Sequence, residues 1–311
     1  MNALRFIRFI PVVFLILFSS CASEKSLRSR LPSETSFDEF AAYGAPLLVT
    51  LTLDSGDDLL FMVDTGSPRT YLNKSLEPKL GKRLGTKNVT WGFYGKREDG
   101  LYPAPALLLN NTRLQLGNQI ATDAMGTKYA GAPLMGILGM DCLRHYCIQV
   151  DFARSKMRFL NSDELKKQDW GKAYRLYTVA GGIFTYADIL DRKQLFFRVD
   201  SGLVGGVDFM LKPDLFESEA GEKHPFGQAD TNFMSSNRRN HANDFQIANQ
   251  PVTAWARLPR LQFGGKTYAN VFVAKDTAEF ASHENIIGLR FLARNLVTFD
   301  FPNRTMYLKP E

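Results

Sequence analysis

The sequence predicts an all-β protein made of two similar halves. Short apolar runs separated by Gly, Asn, Asp and Ser clusters dominate it, and extended helical patterns are few. Leu59 to Gly66, reading Leu-Leu-Phe-Met-Val-Asp-Thr-Gly, aligns without gaps on Leu195 to Gly202, reading Leu-Phe-Phe-Arg-Val-Asp-Ser-Gly, at an offset of 136. Arg113-Leu-Gln-Leu-Gly117 then matches Arg260-Leu-Gln-Phe-Gly264, and Ile137-Leu-Gly139 matches Ile286-Ile-Gly288. From there the match runs to the end of the chain at an offset of 149, with Gly139, Leu143, Asp151, Phe152 and Met157 meeting Gly288, Leu292, Asp300, Phe301 and Met306. Anchors recurring in one order point to an internal duplication.

With 311 residues, 45% of them hydrophobic and 23% charged, the chain has enough apolar mass for two lobes of ordinary domain size. The net charge of +6 comes from 38 basic and 32 acidic residues that are interspersed. No basic block with interleaved aromatics occurs, so nucleic-acid binding is not expected.

Residues 1–21 read as an export signal: Arg5 and Arg8 form a basic start, Phe9 to Phe18 is too short to span a bilayer, and Ser19, Ser20 and Cys21 form a small-residue exit. The ending resembles a bacterial lipoprotein signal, with Phe18 where that family usually has Leu. The resemblance implies lipid modification of Cys21 and anchoring at the cell envelope. An ordinary secretory signal with an incidental Cys21 is the other reading. Residues 22–41, rich in Ser, Lys, Arg and Glu, would serve as a polar tether. In an exported protein Cys142 and Cys147 could form a disulfide, but their spacing gives no assurance of the geometry; small apolar core residues is the preferred reading, because the repeat sets Phe291 and Leu296 opposite them.

A first lobe is expected over 42–160. It starts with a hairpin from Pro46 to Val63 turning at Asp54 to Asp58, and this hairpin delivers Asp64. A short strand at Arg69 to Asn73, a loop or short helix over 74–87, an aromatic hairpin tip at Val89 to Gly95 and a polar stretch at Lys96 to Gly100 follow. Strands are expected at Ala104 to Leu109 and Arg113 to Leu116, turning at Asn110 and Asn111. Gly139 ends a strand and opens a short helix, and a last hairpin turns at Ala153 to Lys156. A charged linker spans 161–173, and a second lobe over 174–311 repeats the programme: strands at Tyr174 to Val179 and Ile183 to Leu190, a turn at Asp191 to Gln194, and a strand entering Asp200. Glu217 to Gln250 is polar and long for a loop in a compact domain.

The chemistry-bearing pattern is the pair Asp64-Thr65-Gly66-Ser67 and Asp200-Ser201-Gly202, each behind an apolar run. A carboxylate buried there needs hydroxyl and N–H donors, and Thr65, Gly66 and Ser67 can supply them. Asp54-Ser55-Gly56 spells almost the same triplet but reads as a hairpin turn. Asp151 and Asp300 are duplicated too, and turn chemistry suffices for them. His145, His224, His241 and His283 are scattered, with no zinc-binding spacing, and neither a phosphate loop nor a nucleophile elbow is evident.

The two acid motifs, with the downstream apolar-apolar-Gly triplets, resemble the pepsin-like and retropepsin-like aspartic proteases over everything after the tether. The resemblance implies a bilobal acid-protease fold with two β-barrel-like lobes about a pseudo-twofold axis and a cleft between them. It also implies an endopeptidase whose Asp64 and Asp200 share one proton and activate a water. Thr65 and Ser201 would cross-brace the two loops, Gly66 and Gly202 would let backbone approach the acids, and the Ser67 hydroxyl would hydrogen-bond the neighbouring carboxylate. Leu203, the residue matching Ser67, cannot donate from its side chain. Tyr94-Gly95, with Trp91 and Phe93 nearby, is the candidate substrate-covering flap; an aromatic hairpin packed on the lobe is the other reading. A peptide or protein substrate, no cofactor, no metal and a monomer are implied. The alternative is a catalytically silent protein of the same fold that binds a peptide or an envelope component in the cleft.

Overall fold

The structure is a computed structural model and describes residues 31–91, 95–129, 131–161, 165, 168–219, 223–225, 252–276 and 284–310. The export signal, Cys21, Tyr94, His241, His283 and most of the polar stretch from Glu217 to Gln250 lie outside them. The described residues are mostly strand, in line with the all-β expectation.

A nine-stranded sheet is built from residues 48–138. Its order is Gly85–Trp91, Gly95–Pro103, Gln119–Asp123, Tyr71–Asn73, Gly136–Leu138, Asp58–Val63, Leu48–Leu53, Leu107–Leu109 and Thr112–Arg113. The Leu48–Leu53 and Asp58–Val63 hairpin buries alternate residues, Val49, Leu51 and Leu53 on one strand and Leu59, Phe61 and Val63 on the other. Asp54 sits in its turn, where Gly56 adopts φ 87° and its N–H donates to the Leu53 carbonyl. The turn at Asn110 and Asn111 places both residues at positive φ, a two-residue hairpin connection that Asn tolerates.

The hairpin of Gly85–Trp91 and Gly95–Pro103 is longer than expected. Lys96 to Gly100, read as a polar stretch, is paired strand facing Gly85–Trp91, and Gly100 to Pro103 pairs on its other side with Gln119–Asp123. Residues 74–79 form a 3-10 turn capped by Asn73.

A thirteen-stranded sheet holds the second half together with the end of the first. Its order is Thr35–Ser36, Lys156–Leu160, Cys147–Asp151, Asn295–Asp300, Thr305–Pro310, Lys172–Val179, Gly182–Ile189, Arg192–Asp200, Asn285–Gly288, Phe209–Leu211, Lys266–Asp276, Val252–Phe263 and Lys223–Pro225. Within the stretch read as tether, Thr35 and Ser36 pair with Met157 and Lys156, a 3-10 turn covers Glu39–Tyr43, and Phe37 packs edge-on against Phe152. Burying that ring keeps the segment on the sheet.

The two halves meet in a way the repeat makes legible. Cys147–Asp151 and Asn295–Asp300 are repeat-related, and they pair antiparallel with Gln149 directly opposite Thr298, its equivalent at an offset of 149. Antiparallel pairing centred on equivalent residues is a local twofold relation. The Gln149 side chain donates to the Thr298 hydroxyl at 3.2 Å on that axis. Beside it lies an apolar layer from Leu143, Ile148, Val150 and Phe152 and their equivalents Leu292, Val297, Phe299 and Phe301, closing beneath Thr65 and Ser201. Cys142 and Cys147 are buried in this region and are not joined in a disulfide.

Candidate active site

Each acid is delivered by a strand and supported by the Gly-ended triplet. Asp58–Val63 runs parallel to Gly136–Leu138, and Arg192–Asp200 runs parallel to Asn285–Gly288. The supporting strand then opens a short helix at Met140–Leu143 or Leu289–Leu292. The first N–H of each helix clamps the acid loop: Met140 donates to the Ser67 carbonyl at 2.8 Å, and Leu289 to the Leu203 carbonyl at 3.1 Å. Gly139 is required where it stands, because a Cβ there would lie 2.2 Å from the Arg69 carbonyl oxygen.

Asp64 and Asp200 come together in hydrogen-bonding contact. Asp64 is buried and Asp200 is partly exposed. One oxygen of each is held by the N–H groups two and three residues on. Asp64 Oδ1 accepts from Gly66 at 2.7 Å and Ser67 at 3.2 Å, and Asp200 Oδ1 accepts from Gly202 at 2.8 Å and Leu203 at 3.0 Å. Burial and then the neighbouring Asp200 charge hold Asp64 well above the ordinary carboxylate range; the Gly66 N–H and the Arg198 charge act the other way.

Thr65 and Ser201 form a reciprocal brace beneath the acids. The Thr65 N–H donates to Ser201 Oγ at 2.9 Å, and the Ser201 N–H donates to Thr65 Oγ1 at 3.0 Å. Each hydroxyl then donates across the interface, Thr65 to the Val199 carbonyl and Ser201 to the Val63 carbonyl, both at 2.9 Å. Four buried bonds join the halves, and Thr or Ser is needed because the group must accept and donate at once.

Gly66 and Gly202 are required by proximity, with no positive φ involved. A Cβ on Gly66 would lie 2.3 Å from the Asp200 carboxyl, and one on Gly202 would lie 2.4 Å from that of Asp64. Each loop's glycine therefore faces the other loop's acid.

The role expected for the Ser67 hydroxyl is corrected. It donates to the Arg69 carbonyl at 2.8 Å, and the contact from Ser67 to Asp64 is through the backbone N–H. Leu203 gives Asp200 the same backbone donor, while its side chain packs with Met210, Ala274 and Ile286. The hydroxyl is short and its own loop offers a nearer carbonyl, so the sequence difference at this position leaves the carboxylate donors equal.

Of the flap candidates, Tyr94 lies outside the described residues, and Gly95 pairs with Trp91 where that hairpin turns. Asp151 and Asp300 serve turns as expected, accepting from the N–H groups of Arg154 at 2.9 Å and Asn303 at 3.3 Å. Gly205 and Gly206 take positive φ in a turn whose Gly205 N–H donates to the Gly44 carbonyl. Among the described residues, no group of three or more His, Cys, Asp or Glu side chains could hold a metal ion, and no helix is long and apolar enough to cross a membrane.

Two polar side chains near the site, and a buried ion pair farther out, escaped the sequence reading. Arg198, two residues before Asp200, donates through Nη2 to the Gly66 carbonyl, and its Nε lies 3.8 Å from Asp200 Oδ2. Glu284, just before the strand at Asn285, meets Arg198 Nη1 at 3.6 Å. The signal was present: Arg198 is the charge within the lead-in Leu-Phe-Phe-Arg-Val-Asp, where the first half has Met62. Farther out, the fully buried Asp208 pairs with Arg294 at 2.7 and 3.0 Å. Two adjacent carboxyls, each fixed by backbone donors, can share a proton and polarise a water between them. No protein-family model matches the chain, and no curated protein matches it.

Proposed function

We propose that the protein is an aspartic-type endopeptidase with the bilobal acid-protease fold, its lobes spanning 42–160 and 174–311. The observation that carries the reading is the contact between Asp64 and Asp200 on loops joined by the reciprocal Thr65 and Ser201 brace. Two carboxyls at this separation do not both ionise, so the pair holds one proton. The ionised member takes a proton from a bound water, the protonated member gives its own to the scissile carbonyl oxygen, and no covalent intermediate forms. The substrate is a polypeptide taken in extended form between the lobes. The signal-like residues 1–21, with Cys21 at their end, support action at the bacterial cell envelope.

The test is cleavage of an unfolded protein substrate across pH by the protein and its Asp64→Asn and Asp200→Asn variants. Cleavage by the unaltered chain and its loss in both variants is expected. Cleavage that survives both substitutions, or a folded protein that cleaves nothing at any pH, overturns the reading; the second outcome would make the protein a peptide-binding relative.

A further inference from the structure

The two acid loops are alike in backbone and unlike in charge. At the position two residues before the acid, the first half carries Met62, packed against Tyr71 and Ile137. The second half carries Arg198. Its guanidinium reaches across the pair, with Nη2 donating to the Gly66 carbonyl of the opposite loop and Nε lying beside Asp200 Oδ2 at 3.8 Å. Among the described residues, that Nε has no hydrogen-bond partner, so its link to Asp200 is one of charge. Gly182 lies against the guanidinium, where a Cβ would come within 3.6 Å of both Nε and Nη2, and the preceding Gly181 takes φ 85° in the turn packed on Pro68. Arg198 is held by the Gly66 carbonyl and by Glu284, with Gly182 at ordinary contact distance.

We propose that Arg198 is a positioning residue that keeps Asp200 as the ionised member of the pair and the shared proton on Asp64. The inference rests on the dyad reading above for its catalytic consequence. A cation adjacent to one carboxylate favours ionisation of that carboxylate, and the burial of Asp64 favours its neutral form. The Arg198 charge reaches Asp64 as well and there opposes the burial, so the placement rests on the 3.8 Å contact with Asp200 Oδ2 and on the burial of Asp64. The charged groups around Asp200 are Asp64 across the loops and Arg198 on its own strand, with Glu284 from the segment entering the neighbouring strand meeting the far side of the guanidinium at 3.6 Å.

The roles then follow. Asp200 takes the proton from water as the oxygen bonds to the carbonyl carbon, and Asp64 passes its proton to the carbonyl oxygen. On collapse, the C–N bond breaks, Asp200 returns its proton to the leaving nitrogen, and Asp64 regains one from the diol. The pair is left as it began.

The experiment is a titration of the carboxyl carbons by carbon-13 NMR in the full chain, with Asp64→Asn and Asp200→Asn used to assign the two signals. Asp200 is expected to ionise at lower pH than Asp64. Arg198→Gln should raise the Asp200 midpoint by about one pH unit or more, Arg198→Lys should retain most of the effect, and Glu284→Gln should lower the midpoint. Asp64 ionising first, an Asp200 midpoint unmoved in Arg198→Gln, or a lysine variant that behaves like the glutamine variant overturns the inference. If Arg198→Gln does not fold, Glu284→Gln decides, because it leaves the guanidinium in place: a midpoint that fails to fall overturns the inference. In parallel, the acid limb of the cleavage profile should move up in Arg198→Gln. The expected titration without any cleavage sustains the placement of the proton and sinks the peptidase reading.

Discussion

Ser67 and Leu203 stand three residues after the two acids and give them the same thing, a backbone N–H to the carboxylate oxygen at 3.2 and 3.0 Å. Ser67→Ala should therefore leave the cleavage profile unchanged. It should cost about 1 kcal/mol in denaturant unfolding, from the lost bond to the Arg69 carbonyl. A collapse of activity in this variant would show that the hydroxyl reaches the acid after all.

Thr65 and Ser201 each carry two of the four bonds of the brace. Thr65→Val deprives the Ser201 N–H of its acceptor and the Val199 carbonyl of its donor, and Ser201→Ala does the reverse. Each unmet buried group costs roughly 1–3 kcal/mol. The two hydroxyls share no bond, so the double variant should lose about the sum of the single losses, which a double-mutant cycle in urea measures. A loss clearly unlike the sum would show that the two side chains act on each other directly.

Much of this local structure was legible in the sequence and the way the pieces meet was not. The Asp54 turn, the Asn110 and Asn111 turn and the Gly139 and Gly288 helix openings are set by a few adjacent residues, so their chemistry shows in the chain. Lys96 to Gly100 was misread because a paired strand can be polar when its partner strand supplies the bonds, and the partner begins at Gly85. The acids were found because duplication printed them twice. Arg198 was not, since its meaning depends on the Gly66 carbonyl, a backbone atom 132 residues away. The Ser67 hydroxyl was assigned to the wrong acceptor for the same reason: composition does not say which carbonyl is nearer.

Gly66→Ala and Gly202→Ala should each abolish cleavage while leaving a folded chain. The added methyl falls 2.3 or 2.4 Å from the opposing carboxyl, so the loops must part. Overpacking of this kind costs roughly 1–3 kcal/mol, visible as a lowered melting temperature. An active Gly66→Ala protein would mean that the acids stand farther apart than hydrogen-bonding contact.

Asp64 should make stability fall with rising pH. Its folded pKa is raised by burial and the Asp200 charge, so its stabilising contribution is complete below the ordinary carboxylate pKa and is lost as pH rises through the folded value. A tenfold difference in proton affinity between the folded and unfolded chain is worth about 1.4 kcal/mol. Asp64→Asn cannot ionise and keeps an oxygen for the Gly66 and Ser67 donors. Its melting temperature should gain on that of the unaltered chain as pH climbs above the carboxylate range, and parallel curves would refute the assignment.

Arg294→Met should be among the most damaging changes away from the acids. It removes the partner that meets the buried Asp208 carboxylate at 2.7 and 3.0 Å, leaving it the Phe272 N–H at 2.7 Å and Arg290 Nε at 3.8 Å. Removing one partner of such a pair costs about 3–5 kcal/mol. Burial already pushes Asp208 upward against the pull of Arg294, so the loss should shrink in acid, where the carboxyl can take a proton. Equilibrium unfolding at two pH values checks both parts.

Because each glycine makes room for the acid of the other half, neither half contains a site that could work alone. The proposed sharing of a proton would need both acids, on loops joined by Thr65 and Ser201 bonds that span 136 residues. On the proposed reading, a pair able to cut polypeptide is assembled only from both halves of the chain.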